Sequence, residues 1–283
     1  MFSLGVLWVI DGVLQLQPAS FTATFADDVL APNLRGQPVV ITPIINFGVQ
    51  FFRTNPFVVN LAAAVVQLFI GFVLVLSFKR PLKVFALYLS IAWALIVWMF
   101  GEGLGSIFTE VTSFYTGAPG SALLYLVLAV FFLCPGKFTA KRLIIVAGAF
   151  FLFGALLQLL PTFWSASGVE SVFSLATSDS IGAVAGPAGI VSNLASEAPV
   201  ISNAVLVFVL AVFGGLLLVR PSRILALTVE VFLILTWWFG QDFGGVLTFP
   251  TSTATDPNSA IVLALFLIPL LIPKPIETFK AHS

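Results

Sequence analysis

One histidine (His282), one cysteine (Cys134) and two methionines (Met1 and Met99) leave this 283-residue chain almost without imidazole or sulfur ligands. A membrane haem held by two histidines is excluded, as is a histidine-rich copper or iron centre. A lone cysteine forms no internal disulfide, and Cys134 reads as a small buried apolar residue. Gly-x-Gly-x-x-Gly, phosphate-loop and Gly-x-Ser-x-Gly motifs are all missing. Neither a metal nor a covalent cofactor is expected. Charge is scarce as well, at 8% of residues against 59% apolar. A water-soluble domain carries about a quarter charged residues, so water is not the main solvent of this surface. Net charge is zero, which gives no footing for a nucleic-acid partner.

What fills the chain instead is apolar sequence, with a mean hydropathy of +1.12. Runs over residues 57–77, 84–100, 143–160, 200–219, 224–239 and 261–272 approach the roughly 20 residues needed to cross a bilayer. Residues 4–16 and 122–134 are shorter, and they join the set through their repeat partners. The expectation is an all-α integral membrane protein with eight transmembrane helices. Lys79, Arg80, Lys83, Lys137, Lys141, Arg142, Arg220, Arg223, Lys274 and Lys280 fall in alternate connections and the C-terminal tail; only Arg35 and Arg53 fall in the others. Acids such as Asp27, Glu102, Glu110, Glu170, Asp179, Asp242 and Asp256 gather on the side poor in bases. The positive-inside rule then puts both termini in the cytoplasm. Residues 1–20 lack a basic n-region and carry Asp11 in the apolar stretch, so they read as a first span rather than a cleaved signal.

Much of the chain is written twice. Gly12-Val-Leu-Gln15-Leu-Gln-Pro18 matches Ala155-Leu-Leu-Gln158-Leu-Leu-Pro161, and Pro56, Asn60 and Gly71 match Pro199, Asn203 and Gly214, all at an offset of 143. After small gaps, Arg80-Pro81 meets Arg220-Pro221, and Trp98-Met-Phe-Gly101-Glu102 meets Trp237-Trp-Phe-Gly240-Gln241. Four spans per copy send both copies into the membrane in the same direction, giving parallel repeats. The expected units are residues 1–136, residues 137–273 and a cytoplasmic tail, 274–283. Pro18 and Pro161 end the first helix of each copy, while Pro81 and Pro221 open the third. Asp256-Pro257 reads as an N-cap followed by proline. Each long outer loop suggests a cap over the helix ends, with residues 21–30 and 44–52 as short amphipathic helices.

Three polar positions recur in both copies within about one helical turn of the outer boundary: Gln15/Gln158, Asn60/Asn203 and Glu102/Gln241. Trp98 and Trp237 lie four residues before Glu102 and Gln241, on the same helix face. With Asp242 they form a candidate polar pocket for a small amphipathic ligand, a quinone or a lipid headgroup. The competing reading is interhelical hydrogen bonding within an interfacial tryptophan belt. The copies differ at two acids inside spans, Asp11 and Glu230, and intramembrane carboxyls are functional candidates by default. Glu230, Ile234, Trp237 and Gln241 follow helical spacing, which points Glu230 toward the same cluster. It is either a proton-relay or ligand-binding acid, or a carboxyl bonded to Thr228, Thr236 or a carbonyl. Asp11 reads as lying near the surface on a short helix. The glycines around Glu102 do not make a phosphate loop, since they carry acids and no lysine.

A first helix ending Gly-x-x-Gln-Leu, a long outer loop, a proline-led second helix closing on Ile70-Gly-Phe-Val-Leu74 and a basic turn before Phe85-Ala-Leu-Tyr-Leu89 together resemble the DoxX-like membrane proteins. The resemblance covers residues 12–90 and, less closely, their repeat. It implies a four-helix bundle per unit and an association with redox assemblies at a prokaryotic plasma membrane. The leading functional expectation is an accessory subunit of a respiratory, quinone-linked complex, in contact with lipids and other membrane subunits and without independent catalysis. A small-solute or proton-coupled transporter and a structural assembly factor are the alternatives. The charge pattern makes its own prediction: a membrane-impermeant amine reagent applied outside intact cells leaves Lys79 and Lys83 unmodified, and modifies them once the membrane is opened.

Overall fold

A computed structural model describes residues 1–76, 79–134, 139–178 and 180–272, and every regular element among them is helical. The expected unit boundary at 136/137, the tail 274–283, and Phe78, Lys137, Asp179, Lys274, Lys280 and His282 lie outside the described residues. The principal helices are α1 (Phe2–Leu14), α2 (Thr42–Thr54), α3 (Pro56–Val75), α4 (Arg80–Ile96) and α5 (Ser121–Leu133). They continue with α6 (Ala140–Leu157), α7 (Gly182–Glu197), α8 (Pro199–Val219), α9 (Arg223–Phe239) and α10 (Ser259–Leu271).

Among the described residues, four helices are long and apolar enough to cross a membrane: α3, α4 with its extension to Gly101, α6 and α8. A fifth candidate joins α9 to residues Asp242–Thr248 across a 56° bend. The remaining three of the eight expected spans, α1, α5 and α10, are apolar but short. Thirteen residues in α1 and in α5 reach only about 20 Å at helical rise, against a hydrocarbon core of about 30 Å. They are short because polar structure occupies their outer ends. The chain leaves α1 at Gln15, and α5 and α10 begin only after loops that fold back over α4 and α9.

The packing runs in parallel in the two halves. α1 lies along α3 and α6 along α8, while α4 pairs with α5 and α9 with α10. α5 and α10 also pack on each other, so one core joins Trp8, Leu74, Leu124 and Tyr125 to Phe151, Leu210, Leu233 and Phe266. The α1–α3 and α6–α8 contacts are close because glycines meet there. A Cβ on Gly71 would lie 2.7 Å from the Val9 nitrogen and 2.9 Å from the Gly5 carbonyl oxygen; one on Gly214 would lie 2.8 Å from the Gly148 carbonyl oxygen. Small residues allow this approach where lipid supplies no hydrophobic drive between helices.

Several local expectations change. Proline opens α3 and α4 as read, but Pro221 stays outside α9, whose cap is Ser222 accepting from the Leu225 N–H at 3.2 Å. Asp256-Pro257 does not begin α10: Asn258 is the cap, and Asp256 accepts the Asn258 N–H at 2.7 Å. Residues 44–52 do form an amphipathic helix, α2, burying Ile45, Val49 and Phe52. Met1 lies close enough to Lys83 for their charges to repel, so the start of α1 sits at the basic end of α4.

The glycine contacts predict a matched pair of effects. Gly71→Val and Gly214→Val each cost about 1–3 kcal/mol through overpacking. Gly215→Ala, where an added Cβ meets nothing within 4 Å, leaves stability unchanged or raised. Thermal unfolding in detergent checks all three.

Candidate functional site

Gln15 and Asn60 form a closed pair. Gln15 Nε2 donates to Asn60 Oδ1 at 2.6 Å, and Asn60 Nδ2 donates to the Gln15 carbonyl at 2.8 Å. Gln158 and Asn203 repeat both bonds, atom for atom, at 3.0 and 2.9 Å. All four side chains are buried. An unpaired amide in apolar surroundings is costly, and here each helix end satisfies the other's. These two pairs pin α1 to α3 and α6 to α8. They line no cavity, so the expected four-member cluster separates into two structural clamps and a second set of residues.

That second set gathers at the C-terminal ends of α4 and α9. Trp98 Nε1 donates to the Pro119 carbonyl at 2.8 Å, and Trp237 Nε1 to the Pro257 carbonyl at 2.6 Å. Glu102 Oε1 accepts from the Ala122 N–H at 3.0 Å and from Ser121 Oγ at 2.6 Å. Gln241 does the same work in the other half: Oε1 accepts the Ala260 N–H at 2.9 Å, while Nε2 donates to Ser259 Oγ at 3.2 Å. Each of these side chains therefore caps the helix that follows, α5 or α10, where the first N–H groups lack intrahelical partners. A carboxylate is favoured there by the helix dipole. Glycine permits the fit: at Gly105, whose φ is +63°, a Cβ would come within 1.8 Å of the Pro119 carbonyl oxygen.

Between the two capping loops lies a cavity of about 700 Å³, lined by both halves of the chain. Its polar wall includes Asn33, Glu102, Ser121, Gln241, Asp242 and Asp256, and among the described residues no Lys, Arg or His lines it. Glu102 Oε2 is buried without a hydrogen-bond partner. Burial first, and the nearby Asp256 charge second, push the Glu102 carboxyl up to about 7; burial likewise raises Asp256. The Ser121 hydroxyl donates to Glu102, and Asp256 accepts the Asn258 N–H at 2.7 Å. Asp242 is bonded by the Ser180 hydroxyl.

Asp256 was read in sequence as a cap and, with Glu102, Glu110 and Asp242, as one of several outer acids explained either by a cation-attracting vestibule or by a solvated loop, without being singled out. The signal was nonetheless present: Ala118-Pro-Gly-Ser-Ala122 matches Asp256-Pro-Asn-Ser-Ala260, with Asp256 in place of Ala118 and Asn258 in place of Gly120. The two intramembrane acids are also placed differently from expectation. Asp11 is 2% exposed, not near the surface, and accepts from the Tyr125 hydroxyl at 2.9 Å. Tyr125 in turn stacks edge-on against Trp8, whose Nε1 donates to Ser90. Asp11 feels the charges of both Glu102 and Asp256. Glu230 sits beside the buried stripe of α9, which is Ala226, Val229, Leu233 and Thr236. Ile234, one turn beyond Glu230, is 52% exposed, whereas Gln241 at the far end of the expected stripe is buried, so the stripe does not face inward along its whole length. Glu230 lines no part of the cavity, and its expected bond to Thr228 or Thr236 is not made: the Thr228 hydroxyl goes to the Ile224 carbonyl and the Thr236 hydroxyl has no partner.

Among the described residues no three His, Cys, Asp or Glu side chains converge as a metal site. Compared with family models, with curated proteins and with solved structures, the chain matches none.

The raised Glu102 pKa has a definite sign for stability. In the folded chain Glu102 holds its proton up to about pH 7, whereas its ordinary value is 4.5. The folded state thus binds more protons than the unfolded one between those values, and stability falls as pH rises through that window. Glu102→Gln, the side chain that the other half already uses at this place, flattens the fall. Chemical unfolding in detergent between pH 4.5 and 8 measures it.

Proposed function

We propose that the chain is a plasma-membrane protein of two parallel four-helix repeats, both termini inside, whose outward cavity between the repeats binds a small cationic solute as the first step of transport. The observation that carries this reading is the cavity itself, which draws acids from both halves and has no base on its wall. A cleft lined by charge of one sign concentrates ions of the other. The nearness of the Asp256 charge to Glu102 supports a proton held on one of the two carboxyls, and a bound cation takes that proton's place as counter-charge. Binding then strengthens as pH rises through about 7, in step with the Glu102 carboxyl.

The matched amide clamps and matched helix caps support the repeat, and the nearness of Met1 to Lys83 supports a shared inner side for the start of α1 and the basic turns. The accessory-subunit reading rests on the DoxX-like resemblance of residues 12–90, with a quinone or lipid as the cavity's occupant. The lining favours the cation, since carboxyls, hydroxyls and amides dominate it and Val29, Val111 and Leu175 are its only large aliphatic side chains.

The two readings part in liposomes. For the purified chain alone we expect saturable uptake of radiolabelled tetraethylammonium, rising between pH 6 and 8. Asp256→Asn weakens it by about tenfold or more, since a charged contact is worth about 1.5–3 kcal/mol. Uptake no greater than in protein-free liposomes, together with cytochrome-bearing partners in a mild-detergent pull-down, overturns transport in favour of the accessory subunit.

A further inference from the structure

Two helices outside the proposed spans carry the same pattern of exposure. In α2, Ile45, Val49 and Phe52 are buried, while Phe47 and Phe51 stand 63% and 55% exposed. In α7, Val184, Ala188 and Ser192 are buried, while Ile190 and Leu194 stand 64% and 63% exposed. Phe47 and Ile190, and likewise Phe51 and Leu194, are equivalent at the offset of 143. At about 100° per residue, each helix divides into three sectors rather than two. One packs inward. A second holds the exposed apolar pair. The third is polar: Asn46, Gln50 and Arg53 in α2, and Asn193 and Ser196 in α7. Arg53 pairs with Asp27 on that polar side.

A helix bathed only in water has no reason to keep two large apolar side chains outward beside a polar sector, and still less to do so in both copies. A helix lying at a bilayer surface does: one sector faces protein, one lipid and one water. The apolar sectors also lead straight into the exposed flanks of the adjoining spans. Phe57, Val58 and Val65 continue the first on α3, and their equivalents Val200, Ile201 and Phe208 continue the second on α8. Lipid contact along those flanks therefore extends without a break onto α2 and α7.

We infer that α2 and α7 are paired anchors in the outer-leaflet interface, docked on phospholipid through Phe47, Phe51, Ile190 and Leu194. Their inward sectors grip the chain next to the cavity. A Cβ on Gly48 would meet Phe100 at 2.7 Å. Val184 and Ala188 pack with Trp238 and Phe239. Phe100 and Phe239 each stand two residues before a capping side chain, Glu102 or Gln241. The membrane surface thus sets the height of both cavity walls. This inference rests on the membrane reading and not on what the cavity binds.

The lone cysteine makes site-directed spin labelling direct: in a Cys134→Ser background, single cysteines are placed at 47, 51, 190 and 194, at polar-sector positions 50 and 193, and at 65 and 208 on the spans. In phosphatidylcholine vesicles, collisions with oxygen and with a water-soluble nickel chelate give the depth of each label. Positions 47, 51, 190 and 194 are expected to favour oxygen, 65 and 208 to favour it more strongly, and 50 and 193 to favour nickel. Lipid-like values at 65 and 208 with nickel-accessible labels at 47 and 190 overturn this inference alone. So does strong immobilisation at 47 and 190, which marks a protein partner or a second copy instead. Water-like values at 65 and 208 overturn the membrane reading itself. Eight positions in two copies keep the test intact if one variant does not fold.

Discussion

The first N–H groups of α5 and α10 have no preceding turn of helix to bond, and Ala122 and Ala260 are buried. A buried donor left unsatisfied costs about 1–3 kcal/mol. The side chains that satisfy them come from the neighbouring helices: Glu102 reaches the Ala122 N–H and Gln241 the Ala260 N–H. Much else at the outer face follows from that requirement. The end of α4 must lie against the start of α5, and the end of α9 against the start of α10. The intervening loops must then turn back tightly enough for Trp98 and Trp237 to hold them by single carbonyls. Where those two loops face each other across the α5–α10 contact, a cavity is left.

The functional content of that cavity comes from what the two halves do not share. Either an acid or an amide can cap a helix, and the first half uses glutamate where the second uses glutamine. The loop position before the proline is Ala118 in one half and Asp256 in the other. A strictly repeated chain would bring together four carboxyls, two of the same kind, or none. Divergence at these two places leaves one carboxyl from each half on the same cavity wall. Two like charges so placed do not both ionise freely.

The pairing of Gln15 with Asn60 was legible because both positions recur at one offset and at one depth; only their partner atoms were not. The amphipathic character of α2 was legible because its apolar spacing is local. Glu230 misled because helical spacing says which residues share a face and not where that face points, and packing turned α9 so that Ile234 looks outward. Asp11 was read as superficial because α1 is short, yet Tyr125, from a helix more than a hundred residues away, bonds it and packs against Trp8 of the same helix. Pro221 and Asp256-Pro257 resembled helix starts, but proline before a helix and proline within its first turn differ by a residue or two, and that margin is set by which side chain reaches the free N–H.

Sequence alone determined the helical class, the presence of helices long and apolar enough to cross a membrane and the two sets of recurring polar residues, because long apolar runs leave a short menu of structures. Tertiary structure decided which polar residues became clamps and which became cavity wall. It also decided that Asp256 meets Glu102. Those outcomes depend on loops from distant parts of the chain converging at one place, and no periodicity within a helix carries information about that.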